Sequence, residues 1–138
     1  MKKLISEKGI AAIEFALVLP VLIMLVFGII EFSLLLYNKQ VITNASREGA
    51  RFGIVSRSPA ERVPESAIKA KVDEYCSSYL ISFGAASPPV TNVTPGYNFG
   101  DNLTVSVMYT YNFLLLPNFV SGLAGGKNLT ATTVMKME

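Results

Sequence analysis

Residues 10–30 read IAAIEFALVLPVLIMLVFGII, 21 positions at which the only ionisable side chain is Glu14. At a rise of about 1.5 Å per residue, an α-helix of that length covers the ~30 Å of a bilayer's hydrocarbon core. The run therefore predicts a transmembrane helix. A secretory signal peptide would be shorter and would end in small residues at a cleavage site, whereas this run continues into Glu31, Phe32 and on to Tyr37. Lys2, Lys3 and Lys8 precede it. Because basic flanks stay on the cytoplasmic side, the expected topology is one pass, N-terminus cytoplasmic and C-terminal part outside.

The rest of the composition excludes more than it assigns. Net charge is +2 over 138 residues, and with three lysines ahead of the span the remainder is close to balance, so no nucleic-acid surface is expected. There is no histidine, which removes both the commonest general base and the commonest metal ligand. Glu61, Glu65, Asp73, Glu74 and Asp101 are scattered without a paired spacing, and neither a Gly-rich phosphate loop nor a nucleophile elbow is present. No enzymatic activity, cofactor or metal is expected. The single cysteine, Cys76, has no partner for an intramolecular disulfide and reads as a small buried apolar residue on a helix.

Glu14 needs an explanation, since a carboxylate costs about 2.5–3.5 kcal/mol at the centre of a membrane helix and less toward its edge. Five positions before it stands Gly9, and the stretch Lys8-Gly9-Ile10-Ala11-Ala12-Ile13-Glu14-Phe15 resembles a type IV prepilin processing site. The resemblance implies cleavage by a membrane prepilin peptidase after Gly9, a new N-terminus at Ile10, and Glu14 as the fifth residue of the mature chain. The freed Ile10 ammonium would then offer the Glu14 of a neighbouring chain a partner of opposite sign. A carboxylate that lies near the interface and stays hydrated is the alternative. Phe15 departs from the tyrosine usual at that place in major pilins but keeps an aromatic ring.

Further on, Phe27-Gly28-Ile29-Ile30-Glu31-Phe32, then Tyr37, Gln40 and Ser46-Arg47-Glu48-Gly49-Ala50-Arg51, resemble the TadE-like family of minor pilins or pseudopilins of tight-adherence (Tad/Flp, type IVb) pilus systems. The resemblance implies a place in the bacterial inner membrane, with other pilins or pseudopilins, pilus assembly proteins and the prepilin peptidase as partners. It also implies that Glu14, Phe15, Pro20, Gly28, Glu31, Arg47, Glu48, Gly49 and Arg51 serve helix packing and assembly. The rival reading is an uncleaved, single-pass accessory or sensor whose outer domain binds an envelope protein or a ligand.

Beyond the membrane, Leu35, Ile42 and Gly49 recur at seven residues, as do Ala45 and Phe52, so one helix is predicted to run on to Phe52. Its stripe suits packing either on other helices or on the chain's own domain. Pro20 removes the hydrogen bond to the Ala16 carbonyl and permits a kink, Gly28 and Gly49 permit close approach, and Glu48 is placed to pair with Arg51 one turn on. Pro59 and Pro64 mark a loop over residues 57–64. A second helix follows with Ile68, Val72, Tyr75, Cys76, Tyr79 and Leu80 on one face.

Residues 90–94 suit a short strand, residues 103–113 alternate apolar and polar throughout, and residues 129–136 form a last, threonine-rich strand. The apolar stretch 114–123 joins the last two and is expected either inside the domain or against a partner or the membrane. The predicted architecture is α+β: a leader at 1–9, a long transmembrane helix over 10–56 that continues outward, and a small extracytoplasmic domain over 57–138 with a second helix packed on an antiparallel sheet of about three strands.

Overall fold

A chain that must satisfy every backbone group inside a bilayer has to stay helical there, and helix α1, Glu7–Gly53, does so without a break through Pro20. The structure, a computed structural model, describes residues 7–55, 62–82, 87–113 and 126–137. The first part of the leader, most of the loop expected at 57–64 and the apolar stretch 114–123 lie outside the described residues. Among those described, one helix, Gly9–Gly53, is long and apolar enough to cross a membrane.

Helix α2 spans Glu65–Tyr79. Pro64 starts it, its fixed φ suiting the boundary, and its carbonyl accepts from the amides of Ala67 and Ile68 at 3.0 and 3.2 Å. Glu65 in the first turn complements the helix dipole. The face that the spacing of Ile68, Val72 and Cys76 predicts is the one buried.

Strands β1 (Val90–Thr94), β2 (Asn102–Tyr111) and β3 (Lys127–Lys136) form an antiparallel sheet in the order β1-β2-β3. The pairing sets Val90 opposite Met108 and Tyr111 opposite Lys127. Leu103, Val105, Val107, Tyr109 and Tyr111 of β2 and Leu129 and Ala131 of β3 point into the core, as the period of two requires. Thr110 donates to Asn128 at 2.9 Å and Ser106 meets Thr132 at 2.9 Å on the outer face, which faces water.

Both helices cover the inner face, α1 against β2 and β3 and α2 against β1 and α1. Ile42, Ala45 and Ala50 of α1, Ile68, Val72 and Cys76 of α2 and the inward residues of β2 make one core. The domain thus has two layers, and the outer part of α1 is one of its two helices rather than a stalk beneath it.

Candidate functional site

Helix α1 changes character at one point along its length. From Gly9 to Ile30 almost every side chain is exposed on all sides, Phe15, Leu17, Val21 and Met24 among the most open. Gly28 has nothing within 4 Å of where a Cβ would stand, so its surface is open to a neighbour. Glu14 is exposed within this apolar surround, and Pro20 and Phe15 lie on it too.

At Glu31 the helix meets the domain. Glu31 is 2 % exposed, and the Tyr111 hydroxyl donates to its Oε1 at 2.6 Å. Burial, with Glu31 adding to it, holds the Tyr111 phenol's pKa above its ordinary value, so the ring keeps its proton and remains a donor. Two turns further, Asn38, 0 % exposed, donates through Nδ2 to the Ile81 carbonyl at 2.8 Å and accepts from the Ile81 amide through Oδ1 at 3.0 Å. The chain leaving α2 is clamped to α1 by that pair, which satisfies both backbone groups of one residue.

Higher still, Lys39 Nζ donates to the Thr130 carbonyl, and the Ser46 hydroxyl meets both the Thr43 carbonyl and the Thr133 hydroxyl at 2.8 and 2.7 Å. At the top, a Cβ on Gly49 would fall 2.5 Å from Val72 Cγ2, and one on Gly53 would fall 2.5 Å from Leu103 Cδ2. These two glycines, one turn apart, let α2 and β2 lie close against α1, and a β-branched valine has little room to yield. The closeness that Gly49 was expected to permit is used inside the chain.

On the outward side of the same segment Arg47 is exposed, and Arg51 donates from Nε and Nη2 to Glu48 Oε2 and Oε1 at 3.2 and 3.1 Å. This is the ion pair that the spacing of Glu48 and Arg51 predicts. The Arg51 hydrogen bond holds the Glu48 carboxyl below its ordinary range.

A pocket of about 450 Å³ near the end of α2 is lined by Asp73, Cys76, Ser77, Leu80, Pro88 and Tyr109. Cys76 is its one thiol among the described residues, and burial, with Asp73 nearby, pushes that thiol up to about 11, far from a reactive thiolate. No group of three or more His, Cys, Asp or Glu stands together among the described residues.

The lower helix is thus bare and apolar, with Glu14 as the one ionisable residue between Ile10 and Ile30. Residues 9–51 match the TadE-like protein family. The TadE-like segment opens at the glycine of the processing-site resemblance and ends at Arg51, leaving α2 and the sheet beyond it. No curated protein and no solved structure matches the chain.

Asn38, Ser46, Gly53 and Tyr111 were not among the site residues expected from sequence. One signal was available for the first: Glu31 and Asn38 extend downward, seven residues at a time, the repeat of Ala45 and Phe52. Polar residues on an apolar repeat mark buried positions that need partners.

Proposed function

We propose that the protein is a TadE-like minor pilin or pseudopilin, a structural or assembly component of a tight-adherence pilus, processed by a prepilin peptidase after Gly9. It acts by helix packing and partner recognition, anchored in the bacterial inner membrane with its domain on the extracytoplasmic side. The observation that carries this reading is Glu14, exposed in the all-apolar half of α1 with no hydrogen bond or ion pair to another described residue. Lipid alone does not favour a carboxylate there. The amine of a neighbouring Ile10, freed by cleavage, does.

Glu31 and Gly49 are engaged within the chain, where they hold domain and helix together. Contacts between chains fall instead to Glu14, Phe15, Pro20 and Gly28 in the membrane and to Arg47, Glu48 and Arg51 above it. The TadE-like match over residues 9–51 supports this assignment, because it coincides with the helix and not with the sheet.

The test is intact mass of the membrane-extracted protein from cells with an active prepilin peptidase, with Glu14→Ala alongside. The expected species begins at Ile10, and the variant is inserted normally but crosslinks poorly to other pilus components. A dominant species that retains Met1 to Gly9, or normal assembly by Glu14→Ala, defeats the proposal.

A further inference from the structure

The bonds between α1 and the sheet form a ladder with a regular step. Ser46 meets Thr133 and Lys39 meets Thr130, so seven residues of helix accompany three of strand. The rises agree: about 10.5 Å along an α-helix and about 10 Å along a strand. Helix α1 and β3 therefore run side by side in step. One more step down from Lys39 and Thr130 reaches Phe32 and Lys127. The pairing of Lys127 with Tyr111, whose hydroxyl bonds Glu31, confirms that rung independently.

The lower end of the sheet is thus level with Glu31, the residue that directly follows the apolar run ending at Ile30. No break in α1 separates the two, since the helix is continuous from Glu7 to Gly53. If residues 10–30 fill the ~30 Å hydrocarbon core, the headgroup region of each leaflet occupies roughly the next 5–7 Å. The end of the sheet, with Asn112, Lys127 and Asn128 exposed on it, has no other place to be. Ile81 and Thr130, one rung higher, stand about 10 Å above Glu31, outside that layer.

We propose that the lower end of the β2–β3 sheet is seated among the lipid headgroups of the extracytoplasmic leaflet, with Asn112, Lys127 and Asn128 in contact with them and the Lys127 ammonium facing lipid phosphate. The occupant is the headgroup layer, fixed by continuity with the span. Its chemistry matches: a cation and two amides against phosphates and esters. The inference rests on α1 being a bilayer span and adds where the domain sits relative to that bilayer. The subunit stands on the membrane, and the buried Glu31–Tyr111 pair lies at the boundary between lipid and water.

The experiment uses the full chain with Cys76→Ala, reconstituted in vesicles of phosphatidylcholine and phosphatidylglycerol that contain a headgroup-nitroxide lipid. A fluorophore is attached at Asn112→Cys, Asn128→Cys or, in the turn at the far end of the sheet, Asn98→Cys. Emission at the first two positions should fall about twofold or more, while Asn98, roughly 30 Å further out, stays bright. Lys127→Glu should weaken the quenching at Asn112 in these anionic vesicles. Carbonate washing separates the layers of the argument. A protein that washes off the vesicles overturns the span and this inference with it. Retention with all three labels equally bright, or quenching unmoved by Lys127→Glu, overturns the inference alone.

Discussion

Each half of α1 carries a carboxylate that apolar side chains surround, and the two are handled in opposite ways. Glu31 is enclosed by the chain's own sheet and receives the Tyr111 hydroxyl at 2.6 Å. Glu14 is left on an apolar surface with no hydrogen bond or ion pair to another described residue. The upper half meets its buried polar groups internally, Asn38 with Ile81 and Ser46 with Thr133. The lower half makes its demands on whatever surrounds it. A polar group that is satisfied inside the chain builds the subunit; one that is not satisfied there asks for a partner.

That contrast breaks first at Asn38. Asn38→Leu strands the amide and the carbonyl of Ile81, each costing about 1–3 kcal/mol when buried without a partner, so a loss of about 4 kcal/mol is expected. A small domain has little more than that to lose. Protease digestion of the membrane-inserted protein should reveal an opened outer domain, with insertion unchanged. A thermal midpoint shifted no more than by a surface change such as Ser78→Ala would remove the clamp from the account.

The glycines sharpen the contrast by a smaller margin. Gly49→Leu forces a side chain onto Val72, an overpacking worth about 3 kcal/mol. Gly28→Leu meets nothing within 4 Å in its own chain, so the stability of the isolated subunit should hold or rise slightly, a leucine being the better helix former. Melting of the two variants in detergent should separate them by several degrees or more. Equal melts would mean that the close crossing at Gly49 relaxes at no cost.

The smallest effect concerns acid, in the turn between β1 and β2. There the amides of Asn98 and Tyr97 donate to Asp101 at 2.9 and 3.2 Å and hold its pKa below the ordinary aspartate value, while Gly100, at φ 83, takes the left-handed backbone that closes the turn. A lowered folded pKa means the support is complete above the unfolded value of about 3.9 and is lost as pH falls through the folded one. Amide exchange at Tyr97 and Asn98 should quicken below about pH 4 in the native protein and stay quick at all pH in Asp101→Asn. Exchange in the variant that matches the native protein at pH 6 would dismiss the carboxylate.

Periodicity carried most of the fold. The seven-residue repeats of Leu35, Ile42 and Gly49 and of Ala45 and Phe52 foretold a helix running on to Phe52; it ends at Gly53, three residues short of the 10–56 given to the whole helical segment. The alternation in β2 foretold what is buried there, though the strand ends at Tyr111 and not Phe113, and the face of α2 is buried at Ile68, Val72 and Cys76, while Tyr79, expected on it, lies past the sheet's cover and is 52 % exposed. Strand β3 starts at Lys127, two residues earlier than expected, because pairing with Tyr111 rather than apolar alternation decides where it begins. What periodicity could not express was which polar group meets which. Asn38 and Ile81 are 43 residues apart, Glu31 and Tyr111 are 80 apart, and such pairs exist only once the layers have closed. In the candidate site, the apolar run and Glu14 were plain in the sequence, whereas Glu31, expected only as a helix-packing residue, gave no sign of Tyr111 as its partner.

The unbroken course of α1 has a mechanical consequence. A helix without a hinge transmits rotation as well as position: each residue turns the chain by about 100° and advances it by about 1.5 Å. The apolar shaft and the sheet packed on its far half are therefore keyed to each other. Whatever bearing neighbouring helices impose on Glu14, Phe15 and Gly28 is also the compass direction in which the sheet's outer face looks. Deleting one residue between Gly28 and Glu31 would scarcely change the height of the domain, yet would swing it by more than a quarter turn.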